Sequence, residues 1–244
     1  DGSASKQDYS GLGGGGHVNF WLGDSYTLQI DGAASFFRND DSDYRVFAME
    51  ALVHAGWRDP DKGYFGGFGG LLSYGYAGYS GTGCSGSCSF DQYVIGGEGA
   101  VYWDTMTFFA QGGFMDSWSA DGGSRGNSFT NTWFGRGGLR YFANPNVKLE
   151  ASGGILSGDQ YTNKPVDMPF WKIEGEYKPD DSRVSWFASY GGYSEDEIDY
   201  EHTNHTVAGG VRVHFDQKSL MSFDRSGASL DFFDTRMLIQ AYDH

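Results

Sequence analysis

SYTLQIDGAASFF, residues 25–37, decides how this chain is read. Tyr26, Leu28, Ile30, Ala34 and Phe36 share one parity, and Thr27, Gln29, Asp31 and Ser35 share the other. A period of two belongs to an extended strand, whose successive side chains point to opposite faces. DYRVFAMEALVHAGW (43–57) repeats it, with Phe47, Met49, Ala51, Val53 and Trp57 on one face and Glu50 and His54 on the other. Helical periodicity is hard to find before residue 216. The same pattern predicts eleven strands, near 12–22, 25–37, 43–58, 63–79, 91–103, 105–118, 131–142, 146–157, 168–178, 182–194 and 204–215. Many exceed the ordinary strand of about five or six residues and are long enough to cross a bilayer when tilted.

Composition points the same way. The 244 residues include 39 glycines, 17% aromatics and five prolines, an unusual mix for a soluble enzyme. Mean hydropathy is −0.48 and no window approaches the roughly 20 apolar residues of a membrane helix. That excludes a helical membrane protein but not a membrane barrel, in which only every second residue faces lipid. A net charge of −15 argues against nucleic acid and suits divalent cations or basic partners. The sequence begins at Asp1 without a hydrophobic leader, as a processed secreted chain does, and as a chain cut at an arbitrary boundary also would.

Connections alternate in length. GDS (23–25), PDKG (60–63), DT (104–105), NPN (144–146) and PDDS (179–182) are tight and carry turn residues. NDDSD (39–43), the segment around the cysteines, ADGGSRGNSFT (120–130), GDQYTNKPVD (158–167) and EDEIDYEHTN (195–204) are longer. Short turns at one end and long loops at the other are how an outer-membrane barrel is organised. Aromatic residues lie near the strand ends, as with Tyr93 and Trp103, Trp133 and Tyr141, and Trp171 and Tyr177.

Which face meets lipid follows from volume. Eleven strands of aromatic and aliphatic side chains would overfill a closed interior, so the apolar face points outward and the polar face lines the lumen. Predicted lumen residues are Asp31, Glu50, His54, Glu98, Gln111, Arg136, Arg140, Lys148, Glu150, Lys172, Glu174, Glu176 and Arg212. The bases Arg136, Arg140, Lys148 and Lys172 cluster on strands seven to nine, and Asp31, Glu50 and Glu98 lie on strands two, three and five. Opposed walls of charge impose a transverse field on a pore; alternatively the groups pair across a narrow lumen and hold it together.

HTVAGGVRVHF (205–215) resembles the carboxyl-terminal β-signal of outer-membrane barrels: Val207, Val211 and Val213 alternate, glycines sit midway, and Phe215 closes it. LGDSYTLQIDGAAS (22–35), WRDPDKGYFGGFG (57–69), IGGEGAVYWDTMTFFAQGG (95–113) and GGVRVHFDQKSL (209–220) are similar to a porin-like family of small outer-membrane barrels from alphaproteobacteria. The resemblance spans about residues 11–220. It implies the outer membrane of a Gram-negative bacterium and a porin-like role, and hands over no catalytic residue. Bacterial barrels have even strand counts, so a twelfth strand is expected before residue 12, where DGSASKQDYS (1–10) reads as loop. The expected organisation is an amino-terminal segment at 1–10, an antiparallel up-and-down barrel at 11–215 and a periplasmic extension at 216–244. The apolar cluster of Phe232, Phe233, Met237, Leu238 and Ile239 predicts that this extension docks.

Other sites are weaker. Cys84 and Cys88 lie in a small-residue stretch that suits a local disulfide in an oxidising compartment; a redox pair would be CxxC beside a helix, and a metal site needs more ligands. Glu195, Asp196, Glu197, Asp199 and Glu201 offer hard oxygens for Ca²⁺ or for divalent bridges to lipopolysaccharide, but their spacing is not that of an EF-hand and a solvated acidic loop is the plainer reading. Asp40, Asp41 and Asp43 read likewise. His202 and His205 are too few imidazoles for zinc. No nucleophile, base and orienting group assemble, so no enzyme and no cofactor are expected. The functional expectation is passive diffusion of small solutes or ions through a charged lumen. The alternative is a structural or interaction barrel with a closed lumen, assembling as a homo-oligomer or envelope complex through its acidic loops or its extension.

Overall fold

The computed structural model describes residues 9–39, 45–81, 84–120, 129–160, 164–197, 200–216, 218–227 and 231; within them the side chains of 76–81, 84–90, 118–120, 160, 164, 195–197 and 200–202 lie outside the description. Eleven strands follow in order: β1 (Tyr9–Leu22), β2 (Tyr26–Asn39), β3 (Arg45–Asp59), β4 (Gly63–Gly81), β5 (Cys84–Trp103), β6 (Met106–Ala120), β7 (Thr130–Asn144), β8 (Val147–Gln160), β9 (Lys164–Tyr177), β10 (Val184–Glu197) and β11 (Tyr200–Val213). Each pairs antiparallel with its neighbours in sequence, giving one up-and-down sheet curled into a partial barrel.

The tight connections fall at one end and the longer ones at the other. Asp104 and Asp181 take positive φ (50° and 59°), as does Gly23 (74°), and these residue types tolerate the left-handed region that a two-residue hairpin needs. The strands run further toward the long connections than the periodicity indicated. β5 begins at Cys84, so the backbone at both cysteines is strand rather than loop, and β11 begins at Tyr200. Main-chain pairing outlasts the apolar alternation there, so no hydrophobic period marked those ends.

Two edges are left. β1 and β11 do not pair with each other among the described residues. Both run from the long-loop end to the tight-turn end, because their order numbers are both odd. β1 is exposed on nearly its whole length, and Gly11, Gly13 and Gly15 carry no side chain toward the interior.

Beyond β11 the chain turns back. Ser219 caps helix α1 (Leu220–Ser226), its hydroxyl accepting from the Ser222 amide at 3.2 Å. The Met221 amide donates to the Pro145 carbonyl at 3.0 Å, seating the helix under the β7–β8 turn.

Candidate functional site

The interior face carries every predicted lumen residue, and it is layered. In the half toward the long connections, Val46 and Leu52 (β3), Phe68, Leu72 and Tyr74 (β4), Val94 (β5), Met115 (β6), Phe134 (β7), Leu156 (β8), Met168 and Phe170 (β9) and Tyr193 (β10) are buried in one contiguous apolar cluster, against which Tyr9 and Phe37 pack. It runs round the wall from β1 to β10. The Phe68 and Phe134 rings meet with centroids 6.1 Å apart.

The half toward the tight turns is ionic. On one side His54 lies between Glu98 (2.9 Å) and Asp31 (3.2 Å), and Glu98 also accepts from the Tyr64 hydroxyl at 2.8 Å and from Gln111 at 2.9 Å. On the other side the bases are interleaved with acids on their own wall. Arg140 Nε donates to Glu150 at 2.8 Å, and Arg136 stands 3.7 Å from the same carboxylate. Lys148, Lys172 and Arg212 share Glu174 at 3.4, 3.2 and 2.8 Å, and Lys148 and Arg212 also reach Glu176 at 2.8 and 2.6 Å. These contacts pair the bases with acids of the same wall. Glu50 faces inward among the apolar residues of β3.

Ser185, His214 and Glu176 resemble a hydrolytic triad only in composition. The buried Ser185 hydroxyl donates to Glu176 at 2.7 Å and lies 2.8 Å from His214 Nε2, with Glu176 at 3.7 Å from that same nitrogen. A relay needs the acid on Nδ1 and an accessible hydroxyl. Here the carboxylate occupies the hydroxyl itself.

The extension completes the ionic layer. Asp224 of α1 accepts from Arg140 Nη1 at 2.7 Å and from the Thr107 hydroxyl at 2.5 Å. Asp231 accepts from Arg140 Nη2 at 2.7 Å and from Arg136 at 3.2 Å, while its carbonyl accepts from Gln111 at 2.7 Å. Arg58 and Trp21 donate to the carbonyls of Gly227 (2.6 Å) and Ser226 (3.1 Å), and Arg225 donates to the Asp104 carbonyl. The His214 and Phe223 rings meet tilted, with centroids 4.6 Å apart. A cavity of about 20 Å³, room for a water or two, persists between Glu98, Gln111, Arg140, Asp224 and Asp231. Desolvation raises the Asp231 carboxyl, but Arg136 and Arg140, aided by Lys172 and Lys148, overcome it and hold the group well below the usual carboxylate range.

Sequence reasoning missed Arg58, Ser185, His214, Asp224 and Asp231. Arg58 and Ser185 have the inward parity of their strands and were legible; the two aspartates lie in a segment without period, where nothing local marks a partner.

The outer face is apolar. Tyr26, Phe65, Trp103, Tyr177 and Trp186 are exposed near the tight turns, Phe36 and Trp133 nearer the other end, and Ile30, Val53, Leu71, Ile95, Ile173 and Tyr190 lie between. Val211, Val213 and Phe215 project outward, Phe215 two residues past the last strand. His205 also faces out, stacked on Tyr190. The expected Cys84–Cys88 disulfide and the acidic set Glu195, Asp196, Glu197, Asp199 and Glu201 fall on side chains outside the described residues, as do Asp40, Asp41, Asp43, His202 and the cluster Phe232–Ile239. No protein-family model matches the chain, and no curated protein matches it.

Proposed function

We propose that this chain is an outer-membrane β-barrel with a closed lumen, a structural or interaction protein rather than a diffusion channel. The observation that carries the reading is the contiguous apolar cluster round the interior wall, within which the Phe68 and Phe134 rings meet from β4 and β7, stacked on an ion-paired layer that the chain's own extension caps. A solute crossing the barrel would have to displace both.

Membrane insertion is supported by the outer face. From Tyr93 to Trp103 on β5 is ten residues, or about 33 Å of strand at ~3.3 Å each. Tilted about 40°, that covers roughly 25 Å, the height of the apolar band of an outer-membrane barrel. Unpaired main-chain groups along β1 and β11 are costly in lipid, so the reading includes a twelfth strand antiparallel to both. The resemblance to the porin-like alphaproteobacterial family fits this location. What such a barrel offers partners is its two ends, the long connections on one side and the extension on the other; lipopolysaccharide bridged by Ca²⁺ at the acidic connections suits the first.

The test is conductance. Purified protein inserted in planar bilayers is expected to show no stable ohmic steps up to the voltage at which the bilayer breaks. Reproducible single-channel steps whose ion preference changes on reversing Arg136 and Arg140 would establish the diffusion channel instead.

A further inference from the structure

The cationic wall on β7, β8, β9 and β11 is larger than its own acids account for. Arg136, Arg140, Lys148, Lys172 and Arg212 are matched on the wall by Glu150, Glu174 and Glu176 in the contacts above. Two carboxylates from outside the barrel wall, Asp224 and Asp231, restore the balance, and both are gathered by one guanidinium, on Nη1 and Nη2 of Arg140. Arg136 adds a second donor to Asp231. Arg140 is held against this approach by Glu150 on its Nε and by the Phe109 ring 4.6 Å beneath it, so its two terminal nitrogens are fixed toward the interior.

We propose that Arg136 and Arg140 form a binding site for a small organic dicarboxylate, reached from the tight-turn side, and that Asp224 and Asp231 occupy it as an intramolecular stand-in. Two carboxylates converging on one planar fork define a dianion whose charged groups lie a few ångströms apart, a geometry that a short dicarboxylate reproduces. The two arginine side chains are 3% and 8% exposed and that of Asp224 is 4% exposed, whereas that of Asp231 is 41% exposed, so solvent reaches the Asp231 half of the stand-in in front of donors that it does not reach. Gln111, which donates both to Glu98 and to the Asp231 carbonyl, ties the site to the His54 cluster. The apolar layer closes the far side, so a ligand enters and leaves by the same mouth. The inference concerns binding and does not depend on whether the barrel conducts.

The experiment uses the full chain in detergent micelles, with succinate and inorganic phosphate as probes and sodium chloride at matched ionic strength as control. D224N/D231N is expected to bind succinate at least tenfold more tightly than the unaltered chain by calorimetry, and adding R136Q/R140Q is expected to abolish that binding. Equal affinity of phosphate and succinate would reassign the site to oxyanions in general and overturn the dicarboxylate. In the unaltered chain, succinate should speed proteolysis of residues 216–244 several-fold over the chloride control, a reading that needs no variant to fold. If the carboxamide variant binds no better than the unaltered chain, if binding survives loss of both arginines, or if succinate leaves the proteolysis rate at the chloride value, the proposal fails.

Discussion

Glu174 shows how a single carboxylate holds the ionic layer. It is 3% exposed and meets Lys148, Lys172 and Arg212 at once. Replacing it by alanine leaves Lys148 and Arg212 with Glu176 and takes from Lys172 its contact with Glu174, and a buried charge deprived of its partner costs about 3–5 kcal/mol. Because Lys172 and Arg212 are about a third exposed, E174A should lie near the low end, about 3 kcal/mol, read as a fall in the urea midpoint in micelles. Gly96 answers to space rather than charge. A Cβ there would come 2.6 Å from the Phe68 ring and 2.5 Å from the Gly112 carbonyl oxygen, so G96A must push either the apolar layer or the neighbouring strand. It should cost about 1–3 kcal/mol in the same assay, with no loss from alanine at Gly14, where nothing lies within 4 Å. Asp231 sets a pH limit. Its carboxyl is depressed from 3.8, so its contribution to docking is fully present above that value and is lost only as pH falls below it. The extension should therefore resist protease at pH 5 as it does at pH 7 and yield only in stronger acid; release between pH 5 and 7 would show that other groups hold it.

At the scale of elements, all eleven strands were legible because alternation reports a face whatever the face touches. The parity of Asp31, His54, Glu98 and Arg140 sufficed to send them inward. What alternation hid was the apolar layer. In RVFAMEALV, Val46, Ala48 and Leu52 share the parity of Glu50 and His54, so both faces are apolar over that half of β3 and the pattern loses contrast there. The same doubling occurs at Leu71–Leu72 and at Val94–Ile95, and it signalled that something other than water fills that level. α1 was less accessible still, since seven residues carry too few turns for a helical stripe. Orientation of the strands can be checked directly. Ile30 is 48% exposed between Tyr26 and Phe36, and arginine there should cost about 2–4 kcal/mol in lipid-reconstituted protein. The same variant would be close to neutral if that face met water.

For the molecule as a whole, the two interior layers act in series. An extension that places α1 and Asp231 at a barrel mouth invites the reading of a plug, whose removal opens a pore. The apolar cluster stands beyond it and reaches from β1 to β10, with Glu50 the charged side chain facing inward at its level on β3, so on the closed-lumen reading withdrawing α1 and Asp231 exposes a blind cup rather than a passage. The ionic layer would then hold excess positive charge facing the tight-turn side, with Arg58 and Arg140 deprived of Gly227 and Asp224. Deletion of residues 216–244 should consequently lower stability and leave planar bilayers silent, in contrast to a plugged porin, where the same deletion yields steady conductance. Both quantities are read on one preparation, the first by urea unfolding and the second by single-channel recording. Conductance after deletion would mean that the apolar layer parts once the extension leaves, and the closed-lumen reading would give way to a gated channel.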